Sequence, residues 1–185
     1  MQSTLRLENT DLVPTVVWLT GLPCAGKSTV ALLVADSVRA HGRSARILDG
    51  DELRRTVSAG LGFSAEDRCE HARRAASEAA RVLDAGALPI VALISPLRKA
   101  RAEARGILAG ALLEVYVDAP VSVCAARDLK GMYARARQGA LREFTGVSSP
   151  YEPPDAPDLH LDTVVEEPTE SAHRAMTMLK ARGAL

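Results

Sequence analysis

Aromatic side chains are scarce in this chain: they make up 3% of its 185 residues, with one Trp, three Tyr and two Phe. A core must therefore be built from Leu, Val, Ile and Ala, and a hydrophobic content of 47% allows it. An excess of charge of either sign is also missing. Lys+Arg and Asp+Glu both number 23, which argues against bulk electrostatic binding to nucleic acid or to an anionic membrane. Any anionic ligand must be met by arginines gathered locally. Cys24, Cys69 and Cys124 form no C-x-x-C pair, and His41, His71, His160 and His173 are as scattered, so no zinc spacing occurs. Unpaired thiols point to a reducing compartment. The longest early apolar run, about Val13 to Leu22, is too short to span a bilayer and is broken by Pro14. The polar N-terminus carries no signal-peptide pattern. We expect a soluble, cytoplasmic protein with one domain over residues 1–185.

What is present is concentrated in one stretch. Gly21 to Ser28 reads G-L-P-C-A-G-K-S, which satisfies G-x-x-x-x-G-K-[ST]. The apolar, β-prone run Val16-Val17-Trp18-Leu19 precedes it, and Thr29 to Val34 can continue as a helix. Strand, loop and helix in that order are the context a phosphate-binding P-loop requires. Glycines let successive N–H groups point into one concavity, and the helix N-terminus adds positive potential. Lys27 would reach the β- and γ-phosphates, and the Ser28 hydroxyl would ligate Mg²⁺.

Strand-like and helix-like segments alternate along the rest of the chain, the mark of an α/β fold. The first helix should run to about Ala40 and stop at Gly42, and Ser44 to Leu48 should form a short strand. A long helix is expected from a Ser64 cap with Asp67 as capping-box acid, ending at Gly86. Its apolar stripe is Ala72, Ala75, Ala76, Ala79, Val82 and Leu83. Leu88 to Ile94 reads as a buried parallel strand, and Ser95-Pro96 as N-cap and N1 proline of the next helix. Strands over Leu112 to Val117 and Leu159 to Asp162, and helices over Val121 to Ala126 and Pro168 to Arg182, complete the series. Met132 to Arg142 reads as an arginine-rich surface helix suited to a lid.

A P-loop alone fits a GTPase switch, an ATPase motor or a small-molecule kinase. No [NT]-K-x-D guanine-reading sequence occurs, and the chain is small for a motor. The second strand ends in Asp49-Gly50-Asp51, followed by Glu52, Arg54 and Arg55. Ligands of open α/β sheets bind beyond the carboxyl ends of the strands, so a carboxylate here can orient a hydroxyl nucleophile or hold a metal through water. It can also simply cap a helix. Phe63 and Phe144 both lie in polar loops, where they serve either to stack on a base or to pack beneath the loop. Arg68 opens the long helix near Phe63, and its planar fork suits a phosphate or sulfate. Trp18 reads as sheet core, and His71, from its position alone, as a surface helix residue.

The segments W-L-T-G-L-x-x-A-G-K-S-T (18–29), L-D-G-D-x-x-R (48–54), L-G-F-S-x-x-D-R (61–68), I-S-P (94–96), V-D-A-P (117–120), K-G-M-Y-x-x-A-R (130–137), F-T-G (144–146) and Y-E-x-P (151–154) occur in this order. Together they resemble the adenylylsulfate kinase (APS kinase) family of P-loop kinases. The resemblance implies a three-layer P-loop NTPase fold with a central, mostly parallel sheet flanked by helices and a helical lid at about 129–150. It implies ATP-dependent phosphorylation of the 3′-hydroxyl of adenosine 5′-phosphosulfate, giving 3′-phosphoadenosine 5′-phosphosulfate and ADP, with Mg²⁺. Gly21, Leu22, Pro23, Cys24, Ala25, Gly26, Lys27, Ser28 and Thr29 would bind ATP, with Ser28 on the metal and Lys27 and Asp51 catalytic. Asp49, Asp51, Arg54, Phe63, Arg68, His71, Ile94, Ser95, Lys130 and Phe144 would form the acceptor site. A homodimer and a functional link to ATP sulfurylase are further implications, whereas nucleic acid and membranes are not expected partners.

Four residues, at three places in the chain, depart from the family pattern. His71 stands where an asparagine contacting the acceptor is usual, Ala134 where a lid lysine is usual, and Pro23-Cys24 where a Ser-Gly type pair is usual. The nearest alternative is a kinase of the same fold with a different nucleotide-like or sugar-phosphate acceptor. A non-catalytic nucleotide-sensing subunit is disfavoured by the intact Lys27, Ser28 and Asp51.

Overall fold

The computed structural model describes residues 12–185; the polar stretch read for a secretion signal lies mostly outside them. Its elements run β1 (Val16–Thr20), α1 (Lys27–Ala40), β2 (Ala45–Asp49), α2 (Gly50–Arg55), α3 (Ala65–Asp84), β3 (Leu88–Ala92), α4 (Arg98–Leu108), β4 (Leu112–Asp118), α5 (Val121–Ala126), α6 (Met132–Arg137), β5 (Leu159–Asp162) and α7 (Pro168–Ala181). The strands form a single sheet in the order β2-β3-β1-β4-β5. Every pairing in it is parallel, with Val17 opposite Ile90 and Leu113 on its two sides.

Side-chain alternation divides the core into two layers. Val17, Leu19, Ile90, Val115 and Val117 face α1 and α7, whereas Val16, Trp18, Val91 and Leu112 face α3 and α4. On the second face the helices contribute mainly alanines, Ala72, Ala75, Ala76 and Ala79 from α3 and Ala100 and Ala104 from α4. Small side chains let these helices lie close to each other and to the sheet, where the fully buried Trp18 supplies the bulk. Ser64 caps α3, its Oγ accepting from Asp67 N (3.1 Å), as the capping-box spacing predicts.

The chain leaves the central β1 toward β2 and β3 on one side, then crosses to β4 and β5 on the other. A crevice opens where the order reverses, at the carboxyl ends of the strands. Loops after all five strands converge there. No helix among the described residues is long and apolar enough to cross a membrane.

Three expectations are corrected. Ser95-Pro96 does not start a helix: α4 begins at Arg98 with Leu97 as its cap, and Ser95 takes a left-handed φ of +41°. The helix expected over Met132 to Arg142 ends at Arg137, where Gly139 with φ +77° turns the chain away. It is also no mere surface helix, because Tyr133 is buried in the α1 and α7 layer and Ala136 is buried as well. His71 is buried rather than exposed, on the flank of the alanine stripe.

Candidate functional site

The phosphate loop lies between β1 and α1. Gly21 must lack a side chain, since a Cβ there would fall 2.2 Å from Val117 O of the adjacent strand. Gly26, with φ +106°, precedes α1 and provides no side-chain cap. The first-turn amides are thereby left to an anion. Lys27 opens the helix nearly buried, and its Nζ donates to Gly21 O (2.9 Å) and Leu22 O (2.6 Å). Burial lowers its pKa to about 8, against the opposing effect of the Cys124 and Cys24 thiols and the Asp49 and Asp51 carboxylates. A bound phosphate would reverse that shift.

Asp49 resolves part of the choice between chemistry and capping. Its Oδ1 accepts from Asp51 N (2.9 Å) as the N-cap of α2, and its Oδ2 accepts from Ser28 Oγ (3.1 Å). Ser28 and Asp49 thus gather hard oxygen donors beside the phosphate loop, a set that suits Mg²⁺. The Asp51 carboxylate takes no part in that cap. It is exposed and lies 3.8 Å from Lys130 Nζ, which approaches from the segment before α6.

A cavity of about 510 Å³ continues from Lys27, Ser28 and Thr29 to Arg127 and to Thr163 through Pro168. Arg127 donates to Thr163 Oγ1 (3.0 Å) and Thr163 O (2.6 Å), and Thr163 Oγ1 in turn donates to Ala25 O (2.9 Å). These two residues line the phosphate-loop end of the crevice, and no sequence motif selects them. They lie 36 positions apart, and neither belongs to a local motif with its own chemistry. Another cavity, of about 410 Å³, lies on the outer face of α3. Its Arg73, Arg74 and Arg81 are each paired with a glutamate, so it is a solvated ion network away from this chemistry.

A second cluster forms around the start of α3. Arg54 Nη1 donates to Gly62 O (2.9 Å), and its guanidinium lies over the half-exposed Phe63 ring, 4.3 Å from the centroid. Arg68 is buried, donating from Nε to Phe63 O (2.8 Å), from Nη1 to Thr145 Oγ1 (2.9 Å) and from Nη2 to Glu143 O. It therefore braces the Phe63 loop against the Phe144 loop. Neither arginine has a carboxylate ion pair among the described residues, and burial pushes both guanidinium pKa values down. Two adjacent cations without a counter-charge are a place for an anion. His71 faces them from α3, its Nδ1 2.8 Å from Ser58 Oγ. Burial, followed by the charges of Arg54, Arg68 and Arg74, lowers its pKa to about 4 and holds the ring neutral. Phe144 is half-buried and meets Tyr133 edge-on, with centroids 5.0 Å apart at 81°.

Ile94 and Ser95 join from the end of β3. Gly21 N approaches Ile94 O (3.4 Å), and Thr20 Oγ1 donates to the same carbonyl (2.8 Å). Ser95 is buried, its Oγ accepting from Trp18 Nε1 (3.2 Å) and its carbonyl from Arg101 Nη1 (2.7 Å). These bonds hold it in the left-handed region that a serine otherwise avoids.

Comparison with known proteins agrees with this geometry. Residues 13–162 match the family described as Adenylylsulphate kinase. The adenylyl-sulfate kinase of Paraburkholderia xenovorans is 45% identical over 168 residues, 91% of this chain and 94% of that protein. The bifunctional enzyme NodQ of Azospirillum brasilense is 45% identical over 171 residues, 92% of this chain, which spans 28% of that longer protein. The structure of the Mycobacterium tuberculosis APS kinase CysC in complex with AMPPNP and APS superimposes with a TM-score of 0.87 at 44% identity, covering 90% of this chain and 97% of that one. Fold, phosphate loop and sequence agree: the chain belongs to the adenylylsulphate kinase family.

Proposed function

We propose that this chain transfers the γ-phosphoryl group of ATP to the 3′-hydroxyl of adenosine 5′-phosphosulfate in the cytoplasm, producing 3′-phosphoadenosine 5′-phosphosulfate and ADP for sulfate activation. One observation carries the reading. Beside the phosphate loop and its Ser28–Asp49 pair, Arg54 and Arg68, which have no carboxylate ion pair among the described residues, hold the loops of Phe63 and Phe144, and Lys130 meets Asp51. A relative 45% identical is an adenylyl-sulfate kinase, and the APS kinase it superimposes on holds AMPPNP and APS.

Gly21 to Thr29 would cradle the phosphates, with Lys27 turning from the loop carbonyls to the β- and γ-oxygens. Ser28 and Asp49 would hold Mg²⁺, which supplies charge neutralisation when bound. Arg54 and Arg68 face the phosphosulfate, Phe63 and Phe144 the acceptor adenine, and His71, Ile94 and Ser95 the rest of that pocket. The acceptor oxygen attacks the γ-phosphorus in line, the bond to the bridging oxygen of ADP breaks, and the hydroxyl proton passes to Asp51. Such transition states are loose, so positioning and charge supply the rate, with Lys130 as the lid cation.

Asp51→Asn should lower kcat about 100-fold or more while ATP affinity changes little. Equal loss of both would remove its proposed role. A second reading, another nucleotide-like acceptor, is favoured by His71 and Ala134, and ADP release across an acceptor panel separates the two. A homodimer and a functional link to ATP sulfurylase belong to the same proposal, as does one catalytic domain with a lid at about 129–150.

A further inference from the structure

Tyr133 is one of the largest fully buried side chains, and it comes from the short helix α6, where the sequence predicts a surface lid. Its hydroxyl donates to Pro23 O across 3.0 Å, inside the phosphate loop. Burial raises the phenol's pKa, so the hydroxyl keeps the proton it donates. The accepting carbonyl belongs to the peptide that leads into Cys24, a non-glycine residue at φ +63°. Side chains resist that conformation, and it persists only where surrounding contacts impose it. Tyr133 is the side chain that bonds this peptide's carbonyl among the described residues. At its other end the same ring packs edge-on against Phe144, 5.0 Å between centroids. Beyond Phe144, Thr145 and Glu143 are held by Arg68, which also holds Phe63 O.

We propose that Tyr133 is a positioning residue that ties the nucleotide loop to the acceptor wall, setting Phe144 according to the state of the Pro23–Cys24 peptide. The proposal rests on the reading of that loop as the ATP site and of Phe144 as an acceptor wall. Phe144 does not line the nucleotide cavity, so a response of its ring to nucleotide has to travel through its neighbours. Tyr133 touches both, and Leu22 of the same loop packs near Gly146, two residues beyond Phe144, so the hydroxyl is what the test must single out.

The two phenylalanines make the test direct. Protein grown with 4-fluorophenylalanine gives one fluorine signal for Phe63 and one for Phe144, assigned with Phe144→Leu. Saturation with Mg²⁺ and a non-hydrolysable ATP analogue, verified by calorimetry, is expected to shift the Phe144 signal. In Tyr133→Phe, whose own third signal is recognised by its absence in the parent protein, the analogue should still bind and the Phe144 shift should vanish. The acceptor KM of Tyr133→Phe should rise at least threefold, and adding Tyr133→Phe to Phe144→Ala should change that KM no further. A merely structural hydroxyl would lower Tm without this pattern. A Phe144 signal unmoved by bound nucleotide in the parent protein overturns the proposal, whatever the folding of the variant. So does an undiminished shift in Tyr133→Phe. Failure of the analogue to bind overturns this inference and the ATP reading together. A shift that behaves as expected in a protein inactive on adenylylsulfate supports the inference and removes only the acceptor.

Discussion

The Ser28 hydroxyl lies 3.1 Å from Asp49 Oδ2, joining the first turn of α1 to the N-cap of α2. One carboxylate therefore holds both the helix cap and the Ser28 hydroxyl, and in the proposed function it would serve the metal while Asp51 two residues on serves the acceptor. Asp49→Asn keeps a competent cap but loses the negative charge. Its Mg²⁺ requirement should move to at least tenfold higher concentration while Tm changes little. An unchanged Mg²⁺ titration would take the metal away from Asp49.

Lys27 gives a proton-linkage prediction. Its folded pKa of about 8 lies below its ordinary 10.5, so between these values the unfolded chain holds more protons and the contribution of Lys27 to stability rises with pH. Bound triphosphate restores the ammonium. Near pH 8, nucleotide binding should take up roughly half a proton, seen as a buffer-dependent enthalpy in calorimetry. Lys27→Arg stays charged throughout and should abolish the uptake. Lys27→Ala should abolish turnover.

His71 is the acid-sensitive element. Its folded pKa of about 4 against an ordinary 6.5 means that the unfolded chain binds the extra proton in this window, so stability falls as pH drops through it. The loss attributable to His71 is about 2 kcal/mol between pH 7 and pH 5. His71→Asn should flatten that slope in urea denaturation. Parallel slopes for the two proteins would show that the imidazole is not the cause.

Ser95 should invert the usual ranking of alanine and glycine. Ser95→Ala keeps the left-handed strain and strips Trp18 Nε1 of its acceptor, a cost of about 1–3 kcal/mol. Ser95→Gly loses the same bond but relieves about 1 kcal/mol or more of backbone strain. Urea denaturation should find the glycine variant the more stable. The opposite order would mean that the φ of +41° is not strained.

Local signals carried much of the fold. The phosphate loop reads directly from its glycines and lysine, and Val121–Ala126 and Leu159–Asp162 fall on the residues expected, because apolar period and flanking breakers agree there. Ser95-Pro96 was misread because local propensity favours a helix cap, whereas Trp18, Thr20 and Arg101 bind this segment from 77, 75 and 6 positions away. His71 was misplaced for a similar reason: Ser58, in the turns after α2, folds over it. Thr163 belongs to no motif and Tyr133 only to the 130–137 segment, with no role legible there, because each acts by reaching a P-loop carbonyl more than a hundred residues upstream. In the cluster around α3 the residues alone single out Phe63, Phe144 and Arg68, with packing and solvation as alternatives, whereas His71, Ile94, Ser95 and Lys130 join the proposed acceptor site only through family resemblance. Arg68 shows the limit, since its bracing of Thr145 and Glu143 is a tertiary fact.

The central claim is most directly tested by incubating the protein with Mg-ATP and adenosine 5′-phosphosulfate and following phosphorus-31 resonances. One ADP should form for each acceptor consumed, together with a new phosphomonoester on the acceptor 3′-oxygen. ATP left intact with this acceptor, or consumed only with a different one, would contradict it.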